Sequence, residues 1–215
     1  ISDDDQPIYI GGRKDKTEKS GTSQLKDYCG RLVIKDSRLS NSRKATTSTS
    51  NYNFVLGGSD SGAGQGGPGV VEISGETTVI TATFHVATFG YKPQGAIYQS
   101  GGEVVDWAHS ANNANPKNYF SYMGPAYYEL TGGRFVQAGS MRWAGNQGTI
   151  DATMVQRGGT AQFTTRGGGN MWAFGCGGNP SSKTSHADVP VARYLVFGGT
   201  TKVEGLSLIT CHSDG

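Results

Sequence analysis

Long apolar runs are missing from this sequence, and so is any dense block of charge. No stretch of about 18 apolar residues occurs, which excludes a membrane-crossing helix of ordinary length. Charged side chains make up only 17% of the 215 residues, and the net charge is +2. The basic residues are scattered, with Lys14, Lys16 and Lys19 lying among Asp15, Glu18 and Asp27. A nucleic-acid partner needs a basic stripe or patch and is not expected. Cysteine is sparse as well. Cys29, Cys176 and Cys211 form no CxxC pair and no Cys/His ligand spacing, so a structural zinc site is not expected. The four histidines, His85, His109, His186 and His212, show neither HxH nor HExxH spacing. Asp3, Asp4 and Asp5 form an acidic run without the spacing of a calcium loop. No segment joins an i, i+3, i+4, i+7 apolar stripe to capping residues, which excludes a long helix. No metal or cofactor is assigned.

Glycine is abundant: 34 residues, roughly twice the usual share. No Gly-X-Y period is present, so a collagen helix is excluded. The glycines belong instead to a returning phrase. It runs VVEISGETTV from Val70, AIYQSGGEVV from Ala96, YYELTGGRFV from Tyr127, TMVQRGGTAQF from Thr153 and YLVFGGTTKV from Tyr194. The phrase glycines begin at Gly75, Gly101, Gly132, Gly158 and Gly198, at steps of 26, 31, 26 and 40 residues. A unit of that size recurring with variable insertions is the signature of a solenoid. Around each pair, apolar and small polar residues alternate, as half-buried strands do. A further apolar phrase follows downstream: TFHVATFG at 83–90, SMRWAGN at 140–146, NMWAFGC at 170–176 and LSLITCH at 206–212.

Each unit therefore predicts three short strands joined by glycine corners, which supply the positive φ that sharp bends need. The expected fold is all-β: a single β-solenoid (β-helix) of about five to six coils over residues 30–215. Residues 1–29 are expected to form a non-solenoid N-terminal arm or cap, and insertions to fall near 40–51, 111–125 and 177–190. The corner glycines are Gly75, Gly101, Gly102, Gly132, Gly133, Gly158, Gly159, Gly198 and Gly199. Small and apolar residues should stack inward, with Thr, Gln and Arg pointing out.

The motifs Ser100-Gly101-Gly102, Thr131-Gly132-Gly133, Arg157-Gly158-Gly159 and Phe197-Gly198-Gly199 resemble the Gly-Gly β-strand repeats of large bacterial surface and secreted proteins, including autotransporter-associated repeats. The resemblance covers roughly residues 30–215. It implies a solenoid fold and export, and no catalytic residue. This chain departs from the pattern in its irregular coil lengths.

Cys176 and Cys211 each end a downstream phrase in adjacent units. Stacked coils lie about 4.8 Å apart, within the Cα separation a disulfide accepts, so these two are disulfide candidates. Cys29 lies where the first unit opens and is a candidate intermolecular thiol. Assembly or ligand-contact candidates are the strand-like Ile8, Tyr9 and Ile10, and the aromatics Trp107, Tyr119, Phe120, Tyr122 and Tyr127. Glu103, Asp106, His109, Arg134, Arg142 and Asp151 could converge on one outer face for glycoside chemistry, but scattered acids approach one another by chance, and no catalytic residue is assigned. The polar start, Ile1 followed by SDDDQ, fits a mature form after loss of a leader, as it would an arbitrary boundary. Solenoid ends are exposed strand edges, and neither end of the repeat shows a capping helix or a charged terminal unit. The expected function is therefore that of a non-enzymatic extracellular or cell-surface structural protein. It would self-associate end to end into a homopolymer through its solenoid ends and N-terminal arm. The alternatives are a glycan-binding adhesin or phage-type fibre module and, behind it, a polysaccharide-cleaving β-helix enzyme.

Overall fold

A computed structural model describes residues 8–11, 29–40, 54–57, 67–82, 84–86, 94–107, 120, 124–138, 141–143, 151–164, 171–174, 191–204 and 207–210. Among these residues lie β-strands and no helix. The strands fall into four sheets. The first holds β2 (Gly30–Lys35), β5 (Gly69–Ser74), β8 (Gly95–Gln99), β10 (Ala126–Leu130), β13 (Ala152–Gln156) and β16 (Ala192–Val196). The second holds β3 (Arg38–Ser40), β6 (Val79–Ala82), β9 (Glu103–Trp107), β11 (Arg134–Ala138), β14 (Thr160–Thr164) and β17 (Thr200–Glu204). Two smaller sheets hold β1 (Ile8–Ile10), β4 (Phe54–Leu56) and β7 (Phe84–Val86), and β12 (Met141–Trp143), β15 (Met171–Phe174) and β18 (Ser207–Thr210). Every pairing is parallel, and neighbours in each sheet follow chain order.

The all-β fold is therefore solenoid-like: strands from successive passages of the chain lie side by side, and corners connect the sheets. Ile8–Ile10, from the segment expected to be an arm, pair with Phe54–Leu56 of the same chain. Of the expected insertions, 41–51, 177–190 and most of 111–125 lie outside the described residues.

Register follows from the two-residue period of the strand. A slip by one would turn every interior side chain outward. In the first sheet one interior ladder runs Leu32, Val71, Ile97, Tyr128, Met154, Tyr194, and a second runs Ile34, Ile73, Gln99, Leu130, Gln156, Val196. The second sheet answers with Leu39, Ile80, Val104, Phe135, Ala161, Thr201. The interior changes along its length, from aliphatic in the early passages to aromatic in the later ones. Phe120 packs on Tyr128 at 6.1 Å between ring centroids, Tyr128 on Phe135 at 4.8 Å, Phe135 on Phe163 at 6.2 Å and Phe163 on Tyr194 at 5.7 Å. Ala161 lies opposite Phe135 in the register, a small residue beside a ring, which close packing at a fixed strand spacing requires.

The corners stack as tightly as the strands. The amides of Thr131 and Arg134 donate to the carbonyls of Gln99 and Gly102 in the passage before, each at 2.8 Å. Arg157 and Thr160 repeat this onto Leu130 and Gly133 at 2.8 and 2.9 Å. A Cβ on Gly133 would lie 2.4 Å from the Gly102 carbonyl oxygen, and its φ of +77° is a conformation that L residues avoid. The second glycine of the corner is thus dictated twice, by handedness and by the backbone one layer away. Gly133→Ala is expected to lower stability by about 3 kcal/mol or more. Thr131→Ala, at an exposed neighbour, should cost about 1 kcal/mol or less; chemical denaturation of the two variants checks the contrast.

Candidate assembly surface

The layer formed by β16, its corner Phe197–Gly199 and β17 differs from those before it. Ile34, Ile73, Gln99, Leu130 and Gln156 are buried along their shared ladder, whereas Val196, next in register, is 51% exposed. Gln137 and Phe163 are sealed in the second sheet, and the next residue of that ladder, Val203, is 49% exposed. Interior positions of this layer thus face water. Val191 and Leu195 are exposed beside them, and Phe197 is 68% exposed. Exposed apolar residues gathered on one layer mark a contact surface more than scattered ones do.

Two buried amides hold the corners from inside. Gln99 Nε2 donates to the carbonyls of Gly101, Gly102 and Arg134 at 3.1–3.2 Å, and its Oε1 accepts from the Tyr128 hydroxyl at 2.6 Å. Gln156 repeats the device. Its Nε2 donates to Gly159 and Thr200, and its Oε1 accepts from Thr201 Oγ1 at 2.9 Å and from the Tyr194 hydroxyl. This corrects the expectation that glutamines point outward, since Gln99, Gln137 and Gln156 are all buried. Gln99 and Gln156 meet a physical demand: carbonyls turned inward at a tight corner need donors when no water reaches them. Partial burial raises the Tyr194 pKa, so its hydroxyl stays protonated and able to donate.

Arg157, at the outer corner, lies over one face of the Phe197 ring at 5.2 Å and donates from Nε to Glu129 Oε1 at 2.8 Å. Beside it on the outer face, the rings of Tyr98 and Tyr127 meet at 5.7 Å, and the Tyr127 hydroxyl donates to Glu129 Oε2 at 3.0 Å. Burial, followed by the Glu129 carboxylate, raises the Tyr127 pKa. At the opposite end of the sheet Arg31 grips Glu72 through two hydrogen bonds of 2.7 and 2.8 Å. That bonding holds the Glu72 carboxyl below its usual range. Arg134 pairs with Glu103 at 2.5 Å and reaches Gln162 at 2.7 Å, and Asp151 meets Arg193 at 3.5 Å. Such exposed pairs are screened by water and add little to stability; they align outer ladders without defining a reactive centre.

The expected site residues distribute as follows. Cys176, Cys211, Tyr119, Tyr122, His109 and the acidic run Asp3–Asp5 lie outside the described residues. Cys29 is exposed and free. Ile10 is buried, and Phe120 belongs to the interior, not to a contact surface. Tyr127 sits half-buried on the outer face of β10. Trp107 and Asp106 end β9, opposite Ala138 and Gln137. Of the six residues that could converge, Glu103 and Arg134 pair with each other, while Asp151 pairs elsewhere. Among the described residues no group of three or more His, Cys, Asp or Glu could hold a metal ion, and no helix is long and apolar enough to cross a membrane.

Sequence reading expected open solenoid ends but put none of Val196, Phe197 and Val203, exposed apolar residues of this layer, among the contact candidates. A signal was present in the repeat: Phe197 stands where earlier phrases have Ser100, Thr131 and Arg157, an apolar ring in an outward polar ladder. Compared with protein-family models, curated proteins and solved structures, the chain matches none. Gln156→Leu is expected to loosen this layer first. It removes donors from the Gly159 and Thr200 carbonyls, at a cost of about 1–3 kcal/mol. Hydrogen exchange at the Phe197 and Thr200 amides should accelerate more than exchange in β5 or β8.

Proposed function

We propose that this chain is a structural subunit of an extracellular fibre or surface layer: a β-solenoid of about five to six coils, joined end to end. One observation carries the reading: interior ladder positions Val196 and Val203 lie open on the β16–β17 layer, while their counterparts in earlier layers are buried. A layered stack presents its interior at its end unless something covers it, and an edge of parallel strands is a template for further strands. Head-to-tail contact of this kind does not close and produces filaments. Exposed Cys29 can cross-link neighbours, and Cys176 with Cys211 can bridge adjacent coils. The reading assigns no catalysis and no cofactor. Light scattering and negative-stain microscopy of the intact protein, with and without reductant, test it. Regular filaments that persist in high salt and shorten in reductant are expected, and a monomer at all concentrations would overturn the reading.

One observation favours a second reading, glycan recognition. Tyr98 is exposed, and its ring meets that of Tyr127 on the outer face beside Glu129 and Arg157. Exposed ring faces flanked by planar polar groups suit a sugar. Saturable binding on a glycan array, lost in Tyr98→Ala with particle size unchanged, would select this reading.

A further inference from the structure

We infer that the outer face around Tyr98 takes a neutral pyranose sugar, bound through its apolar ring face and its hydroxyl donors, in preference to a charged ligand. This rests on the glycan-recognition reading and gives that site a ligand class. The place in the stack matters first. Tyr98 lies on β8, which has a paired strand on each side. Its 42% exposure therefore belongs to the flank of the stack and does not depend on either end.

Two outer ladders run side by side there. One is Glu72, Tyr98, Glu129, and its companion is Val70, Ala96, Tyr127, Thr153. Tyr98 thus stands between two carboxylates, one layer away on either side. Tyr127 has the small Ala96 and Thr153 as its own ladder neighbours, and its ring meets that of Tyr98 at 5.7 Å and 51°. Two tilted rings with small residues in the ladder beside them leave apolar surface for a flat ligand.

The carboxylates are fixed in place and only partly used. Glu72 accepts from Arg31 Nε at 2.8 Å and from Nη2 at 2.7 Å, one bond to each oxygen. Glu129 accepts from Arg157 Nε at 2.8 Å through Oε1 and from the Tyr127 hydroxyl at 3.0 Å through Oε2. A carboxylate offers about four lone-pair positions, so each keeps about two for a ligand. Fixed acceptors on both sides of an aromatic ring call for a partner with an apolar face and donors around its rim. A pyranose has that form, with C–H groups on its faces and hydroxyls at its edge.

Charge then selects among ligands. Arg31 and Arg157 cancel Glu72 and Glu129, so the four side chains sum to zero. An anionic sugar would bring its charge against two carboxylates whose arginines are already engaged. A cation, which rings and acids attract elsewhere, would meet those same arginines. A neutral ligand leaves both ion pairs intact.

Isothermal titration of the full chain tests this with neutral gluco- and galacto-oligosaccharides, an oligouronate and choline. Saturable binding of a neutral sugar alone is expected, with an affinity that changes little with salt because no net charge is exchanged. Tyr98→Ala is expected to weaken it about tenfold or more, whereas Tyr98→Phe keeps the ring face and retains it. Neutral-sugar binding that survives Tyr98→Ala would place the site elsewhere and overturn the inference. Oligouronate binding removed by Tyr98→Ala would overturn the neutral class and leave glycan recognition standing. Choline bound in the same way, or no saturable binding by a chain that circular dichroism shows to be folded, would sink both.

Discussion

The contact between glycine corners of successive layers is the constraint on which the rest of the structure depends. Parallel strands sit about 4.8 Å apart, and the corners must keep that spacing as the chain turns. A Cβ on Gly132 would lie 2.5 Å from the Ser100 carbonyl oxygen, and one on Gly159 would lie 2.5 Å from that of Gly133. With glycine at both places the backbones touch and their amides pair across layers. The sheets on either side are then held in one register, and the ladders follow. A side chain at Gly132 or Gly159 would meet the carbonyl of the layer before and force these layers apart.

A tight corner brings a second demand, because some of its carbonyls turn toward an interior without water. Gln99 and Gln156 answer it from alternate layers, each bonded to the tyrosine hydroxyl of the next layer. Leu130 lies between them in the same ladder. The amides are therefore corner fittings, and the tyrosines do two jobs: their rings pack into the aromatic column while their hydroxyls complete the amides.

Periodicity explains both the order and its weak point. A stack satisfies each layer with its neighbours. Val196 and Val203 continue ladders whose preceding members, Gln156 and Phe163, are buried, yet they are 51% and 49% exposed.

Much of this was legible in the sequence. The Gly-Gly phrases located every corner between the first two sheets from Ser100 onward, and the alternation of Ile97, Tyr128 and Met154 with their neighbours marked strands and faces. Gln99 and Gln156 were misread because an amide side chain looks outward-facing in a binary pattern; its burial is decided by carbonyls supplied from residues up to 44 positions away. Phe120 likewise lies in a stretch without period, and its place in the interior comes from Tyr128. The sequence by itself determined the repeat, the corners and the absence of helices, because these depend on local conformation and spacing. Only the tertiary structure decided which polar residues are buried and which apolar ones are open, because burial depends on what lies one layer above, and no local pattern contains that.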